Sequence, residues 1–261
     1  MSDDDIPPRI SRKVARNLTK VEKDQRILRS HESDRAVFEE VFDKSTLMVL
    51  YDIMNAGIFS YLNGVLASGK ESRVYWGVTA KNTSVAVKIY LITSAEFKHR
   101  LQYIAGDPRF GGVRKGMRNI VNLWARKEFK NLRTAYDAKV TVPEPIYVKN
   151  NVLVMEFFGE DGTPAPTLNV CEVTQKHYLQ VLKAVSDLYT AGLVHADLSE
   201  YNLFLHKNKI ILFDFGSAVS TAHPNADQFL RRDISNINKF FNKKGIDVYD
   251  QDRAMKKVKK N

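Results

Sequence analysis

Two short apolar runs constrain this chain more than anything else in it. Leu203-Phe204-Leu205 and Ile210-Ile211-Leu212-Phe213 read as buried strands joined by a polar turn. Just before the first stands His195-Ala196-Asp197-Leu198-Ser199-Glu200-Tyr201-Asn202, and just after the second stands Asp214-Phe215-Gly216. The pattern supplies a carboxylate, a side-chain amide five residues on, and a second carboxylate beyond a strand-turn-strand. Asp and Asn also serve ordinary turns, but turn chemistry alone does not require this order between two strands. One Asp to orient a hydroxyl, with an Asn and a second Asp to hold a divalent cation, is the set that phosphoryl transfer from ATP needs.

The other half of an ATP site lies upstream. Val85-Ala86-Val87-Lys88-Ile89-Tyr90 is a β-branched strand carrying one lysine, close to the V-A-I-K strand whose lysine contacts the α- and β-phosphates. In an isolated strand the better reading would be an edge-strand lysine with its stem on apolar surface; the position upstream of the loop, behind a glycine-containing hairpin, reverses that. Lys88 then needs an acidic partner on a helix, and Glu128 is the candidate. Leu123, Trp124, Lys127, Glu128, Asn131 and Leu132 share one helical stripe, with basic residues opposite. The stretch Gly64 to Lys70 matches the opening of a P-loop, but Glu71 stands where Ser or Thr would hold magnesium. The strand-like Ser72-Arg73-Val74-Tyr75-Trp76-Gly77 follows where a helix should. The better reading is a phosphate-covering turn in which Ser68 and Gly69 admit the nucleotide and Lys70 adds charge. Met155-Glu156-Phe157-Phe158 follows a hairpin about Lys149-Asn150-Asn151 and is expected to be the hinge that offers backbone groups to adenine.

With these parts in place the chain resembles the RIO family of atypical serine/threonine protein kinases, closest to its first, archaeal-type subfamily. The resemblance rests on Ser68-Gly69-Lys70-Glu71, on the loop from His195 to Asn202, and on Phe157-Phe158-Gly159 with Pro164-Ala165-Pro166. The lead-in Phe42-Asp43-Lys44-Ser45-Thr46-Leu47 and Ile53-Met54-Asn55-Ala56-Gly57-Ile58 is similar to the same subfamily. The resemblance implies an α+β, two-lobed protein-kinase-like fold, with a small β-rich lobe, a reduced helical lobe and extra N-terminal helices. It implies ATP with Mg2+ or Mn2+, Asp197 and Asp214 as catalytic residues, and Asn202 and Asp214 on the metal. ATP would be bound by Ser68, Gly69, Lys70, Lys88, Glu128, Met155, Glu156 and Phe158. It further implies a kinase or ATPase switch in small ribosomal subunit maturation, partnered by the precursor particle and its rRNA, with turnover through a phosphorylated Asp214. One departure is Ser217, where relatives often carry glutamine.

Composition agrees with such a protein. At 261 residues the chain can bury a sizeable core. A single cysteine excludes an internal disulfide framework, and no apolar run reaches a membrane span. The acidic start, Met1-Ser2-Asp3-Asp4-Asp5, is unlike a signal peptide. A cytoplasmic enzyme with no membrane partner is expected. A net charge of +10, with basic residues concentrated over 9–29, 98–130 and 256–260, favours electrostatic docking on a polyanion. No sequence-reading RNA module is visible.

The chain divides into an N-terminal arm and helices (1–62), a small lobe (63–155) with a mobile, glycine-rich and basic insertion at about 96–119, and a large lobe (156–261). Two helices are expected between Asp34 and Leu62. The insertion from Gly106 to Arg118 has no Ser, Thr or Tyr to be phosphorylated. Only 47 residues follow Asp214, with no A-P-E motif, and Ala196 replaces the usual arginine of the loop. A peptide platform and activation-loop control are therefore not expected. Two other readings stay open at this point: a small-molecule kinase of aminoglycoside or choline type, which shares the H-x-D-x-x-x-x-N loop, and a non-catalytic nucleotide-binding module.

Overall fold

The structure is a computed structural model and describes residues 42–92, 103–104, 107–110 and 116–260. The first of the two expected N-terminal helices, about Val37 to Phe42, falls almost wholly outside the described residues. The second is α1, Lys44–Asn55. Its N-cap is Asp43, whose carboxylate accepts from the Ser45 and Thr46 N–H groups at 3.0 and 3.2 Å, a cap of the kind that contributes about 1 kcal/mol. The helix stops well short of Leu62. Ala56 caps it, Gly57 adopts φ +74°, and the chain turns into a strand at Tyr61. Val49, Leu50 and Ile53 face a core with Phe59, Tyr75, Val87 and Val154.

That core underlies a five-stranded antiparallel sheet in the order β1-β2-β3-β5-β4. The strands are β1 (Tyr61–Ser68), β2 (Ser72–Val78), β3 (Ser84–Tyr90), β4 (Pro145–Lys149) and β5 (Val152–Glu156). Asn82 and Asn150 take the left-handed conformation at the two hairpin turns, where asparagine is tolerated. β3 is central and buried almost throughout, as its β-branched run requires. Its register with β2 and β5 puts Lys88 opposite Val74 and Leu153.

Helix α2, Met117–Asp137, lies beside β4 and β5. Its inward stripe is Val121, Trp124, Ala125, Lys127, Glu128, Asn131, Leu132 and Ala135. Three of these are polar, which is unusual for a stripe facing a core. The described part of the insertion is packed: Ile104 and Phe110 join Tyr90, Val121 and Trp124 in a small cluster. Asp107 is buried, with a bidentate ion pair to Arg109 at 2.9 and 2.7 Å. The rest of the insertion lies outside the described residues.

The larger lobe is built on α3 (Gln175–Thr190), α4 (Ala226–Lys243) and α5 (Gln251–Lys259). Val181, Val185 and Leu188 are buried on one face of α3 as their spacing predicts, and Gly192 at φ +80° ends it. The two-residue strands β6 (Gly159–Glu160) and β7 (Thr163–Pro164) pair before α3, and between α3 and α4 run β8 (Leu193–Val194), the hairpin β9 (Leu203–His206) and β10 (Lys209–Leu212), and β11 (Val219–Ser220). β9 and β10 pair in register from Leu203–Leu212 to His206–Lys209, as the two apolar runs require. Eleven residues separate Asp214 from the start of α4, so the long segment that many kinases place there has no room. Among the described residues, no helix is long and apolar enough to cross a membrane.

Candidate active site

Lys88 joins three elements. Its ammonium lies 2.9 Å from both carboxylate oxygens of Glu128 on α2 and 2.8 Å from Asp214 Oδ1, just past β10. Glu128 is fully buried, whereas the Asp214 side chain is 45% exposed. Burial disfavours the Lys88 ammonium, but the Asp214 and Glu128 carboxylates outweigh it and raise Lys88 above an ordinary lysine. It stays charged. Burial pushes Glu128 up to about 7 against the pull of Lys88. One cation is therefore shared between a closed partner and an open one, and the open side is where phosphates can be received.

Asp214 holds φ +62°, a conformation that costs a non-glycine residue roughly 1–2 kcal/mol. It persists because its neighbours are fixed. Phe215 is buried, its ring 4.9 Å from that of His195. Gly216 lies so close to α2 that an added Cβ would stand 2.7 Å from Trp124 Nε1. The carbonyls beyond are held from α2. Lys127 Nζ donates to Gly216 O at 2.9 Å and to Ala218 O, while Asn131 Nδ2 donates to Phe215 O and Ala218 O at 2.9 and 2.8 Å.

The loop bearing Asp197 is treated in the same way by α4. Ala196 also has φ +62°. Its N–H and that of Leu198 donate to the two oxygens of buried Asp233 at 2.8 and 2.9 Å. Arg232 donates to Ala196 O, and Asn236 Nδ2 to Leu198 O at 3.2 Å. Burial raises Asp233 to about 7, against the two N–H groups and Arg232, which favour its anion. His195 Nε2 lies 3.0 Å from Phe213 O, so that nitrogen carries the proton, and burial holds the ring neutral. Asp197 is exposed, and its backbone carbonyl accepts from Asn202 Nδ2 at 2.8 Å. The Phe213 N–H in turn donates to Asn202 O at 3.1 Å, which ties the first loop to the approach to Asp214.

Asn202 and Asp214 fit a hard divalent cation. With its amide nitrogen engaged, Asn202 keeps an amide oxygen to offer, and Asp214 brings an accessible carboxylate. Two such oxygens suit magnesium, which binds through one or two protein oxygens, water and substrate phosphates. At the expected hinge, Glu156 N–H donates to Glu144 O at 2.9 Å and Phe158 O accepts from Ala165 N–H at 2.8 Å. Those two groups are therefore already engaged within the protein. Ser68, Gly69 and Lys70 are exposed at the tip of the β1–β2 hairpin, where Gly69 N–H donates to Ser72 O at 2.9 Å. Through Ser68–Arg73 and Arg73–Ile89, the register sets that tip at the Lys88 end of the sheet.

Sequence reasoning paired Lys88 with Glu128 and placed Lys127 and Asn131 on the inward stripe without giving them a task. Asp233 it missed. The available signal was a carboxylate among Phe229, Leu230, Ile234 and Ile237, at the spacing of a buried helix face.

Residues 73–254 match the family model of the RIO domain. The chain is 39% identical over 248 residues to the RIO-type serine/threonine-protein kinase Rio1 of Haloferax volcanii, covering 94% of this chain and 84% of that one. It is 37% identical over 235 residues to the Methanocaldococcus jannaschii Rio1, covering 89% and 79%. With the human serine/threonine-protein kinase RIO1 it shares 39% identity over 223 residues, 83% of this chain but 39% of that much longer protein. A crystal structure of the Rio2 kinase–ADP/Mg2+–phosphoaspartate complex from Chaetomium thermophilum superposes with a TM-score of 0.62 at 22% identity, covering 83% of this chain and 67% of that one. That likeness establishes the two-lobed, α+β kinase fold.

Proposed function

The chain belongs to the RIO family of serine/threonine protein kinases, and from that premise we propose that it is an ATP- and Mg2+-dependent phosphotransferase whose turnover drives a step in small ribosomal subunit maturation. The observation that carries the chemistry is the Glu128–Lys88–Asp214 chain of contacts. A lysine held by a buried glutamate and shared with an accessible aspartate can pass its charge to incoming α- and β-phosphates. Met155, Glu156 and Phe158 would line the adenine edge, and Ser68, Gly69 and Lys70 would cover the phosphates. Asn202 and Asp214 would hold the metal, which when bound neutralises phosphate charge at the transferring group.

Asp197 orients the attacking hydroxyl or water. When Asp214 is itself the acceptor, one of its oxygens bonds to the γ-phosphorus as the β,γ-bridging oxygen leaves with ADP. Water then cleaves the acyl phosphate and restores the carboxylate. The phosphoaspartate present in the Chaetomium Rio2 structure supports this route. Docking on the precursor particle would use phosphate-backbone attraction. That reading is supported by the net charge of +10 and by the exposed Arg253, Lys256, Lys257 and Lys259 of α5. A cytoplasmic location follows from the same reading.

Lys88→Ala and Asp214→Ala should each abolish ATP turnover. Asp197→Asn should keep nucleotide binding and lose transfer by about 100-fold or more. Normal turnover in the first two, or equal rates in the third, would overturn the assignment. RNA affinity should fall steeply between low and physiological salt, and salt-independent binding would remove the docking argument.

A further inference from the structure

The least expected residue in the core is Lys127. It is fully buried, one position before Glu128, on the face of α2 that packs against the Asp214 turn. Burying an ammonium is costly unless it is hydrogen-bonded. A methionine would fill similar space without that cost. It donates to the Gly216 and Ala218 backbone carbonyls, and the charge also lies over the rings of Trp124 and Phe110 at 5.2 and 5.9 Å. What the ammonium adds, beyond volume, is a grip on the backbone just after Asp214.

Asn131, one turn further along α2, completes that grip. Carbonyls can only accept, so its Nδ2 must face Phe215 O and Ala218 O. Its Oδ1 is buried with no hydrogen-bond partner among the described residues. The side chain thus leaves one polar atom unsatisfied while both donor contacts go to the turn. Together the two residues fix the carbonyls of positions 215, 216 and 218, immediately after a residue held at φ +62°. A strained conformation of that kind persists only where its surroundings over-determine it.

We propose that Lys127 is a positioning residue: its buried ammonium, seconded by Asn131, holds the Asp214-Phe215-Gly216 turn in the single arrangement that presents the Asp214 carboxylate to a metal–nucleotide complex. The metal half of this statement rests on the functional reading above; the fixing of the turn does not. Because Lys127 and Glu128 are adjacent on α2, one helix sets both the lysine and the aspartate of the site. Displacing α2 would withdraw both together.

The test uses the full-length chain in two states. Without metal or nucleotide, hydrogen exchange is followed in the native protein and in Lys127→Met. Amides of residues 215–220 should exchange about tenfold or more faster in the variant, while those of α3 and the β9–β10 hairpin change little. With a non-hydrolysable ATP analogue, the Mn2+ concentration for half-saturation should rise about tenfold, with metal-free nucleotide binding unchanged. Unchanged exchange at 215–220 would overturn the proposal. So would equal acceleration everywhere, because the lysine would then support the fold in general. If Lys127→Met does not fold, Asn131→Ser decides by the same local exchange readout, with a smaller acceleration expected and none overturning the proposal. Should the native protein bind no Mn2+, the metal reading fails, and exchange still judges the fixing of the turn.

Discussion

The two glycine-bearing turns that flank the proposed nucleotide site are built in opposite ways. Ser68, Gly69 and Lys70 are exposed, the strand leading to them carries two register irregularities, and Gly69 makes one local backbone bond. The turn after Asp214 is buried from Phe215 to Val219 and gripped by Lys127 and Asn131. The loop at Ala196 is gripped likewise by Asp233, Arg232 and Asn236. The lesson concerns pre-organisation. Groups that must sit within a fraction of an ångström of the reacting atoms are fixed by helices before substrate arrives. On the function proposed above, the turn that would only cover phosphates is left to adjust to them.

Removing a grip should have the largest effect. Asp233→Ala leaves two buried N–H groups without acceptors and should cost about 2–5 kcal/mol in a urea titration. Transfer activity per folded molecule should fall with it. A loss below about 0.5 kcal/mol, the range of an ordinary surface change, would mean that α4 does not hold the loop. The two glycines come next. Gly216→Ala drives a methyl against Trp124, and overpacking of that kind typically costs about 1–3 kcal/mol. At Gly69 the added Cβ meets Ser72 O at an ordinary 3.4 Å with no positive φ, so Gly69→Ala should stay within about 0.5 kcal/mol. Equal melting temperatures for the two variants would erase the contrast.

A pH series sharpens it further. Burial raises Asp233 from its ordinary 3.8 to about 7. Between those values the folded protein keeps a proton that the unfolded chain has lost. The stability advantage of the native protein over Asp233→Asn should therefore shrink as pH rises from about 4 to about 7 and level off beyond. An advantage that grows over that window would place the folded carboxyl below its ordinary value. The smallest effect should be that of Lys70→Ala, which removes one exposed charge from the turn proposed to cover the phosphates. We expect a rise of about two- to fivefold in the KM for ATP, with unchanged melting temperature, as for other exposed charges.

Much of this was legible from the sequence because the site is made of local patterns joined by strands and one helix. The apolar pair at 203–205 and 210–213 could pack only as a hairpin, which carries Asn202 and Asp214 with it. The lysine of β3 and the glutamate of α2 stand forty positions apart and still meet, since strand register and helical period place both on buried faces. What stayed hidden was polar and internal. Lys127, Asn131 and Asp233 bond to backbone carbonyls and amides, and backbone partners leave no complementary side chain to find in a sequence. The early end of α1 was missed because Gly57 closes the helix while Ile58 and Phe59 prolong the apolar pattern. The packing of Phe110 was missed because the glycine-rich, basic composition around it reads as loop.

Asp214 is the residue proposed to stand at the point of phosphate transfer. Incubating the native protein with γ-phosphate-labelled ATP and Mg2+, quenching in acid and treating with hydroxylamine asks this directly. Protein-bound label should appear that hydroxylamine removes, that maps to Asp214, and that is missing from Asp214→Asn. Label that survives hydroxylamine and maps only to serine or threonine, or undiminished hydroxylamine-labile label in Asp214→Asn, would contradict it.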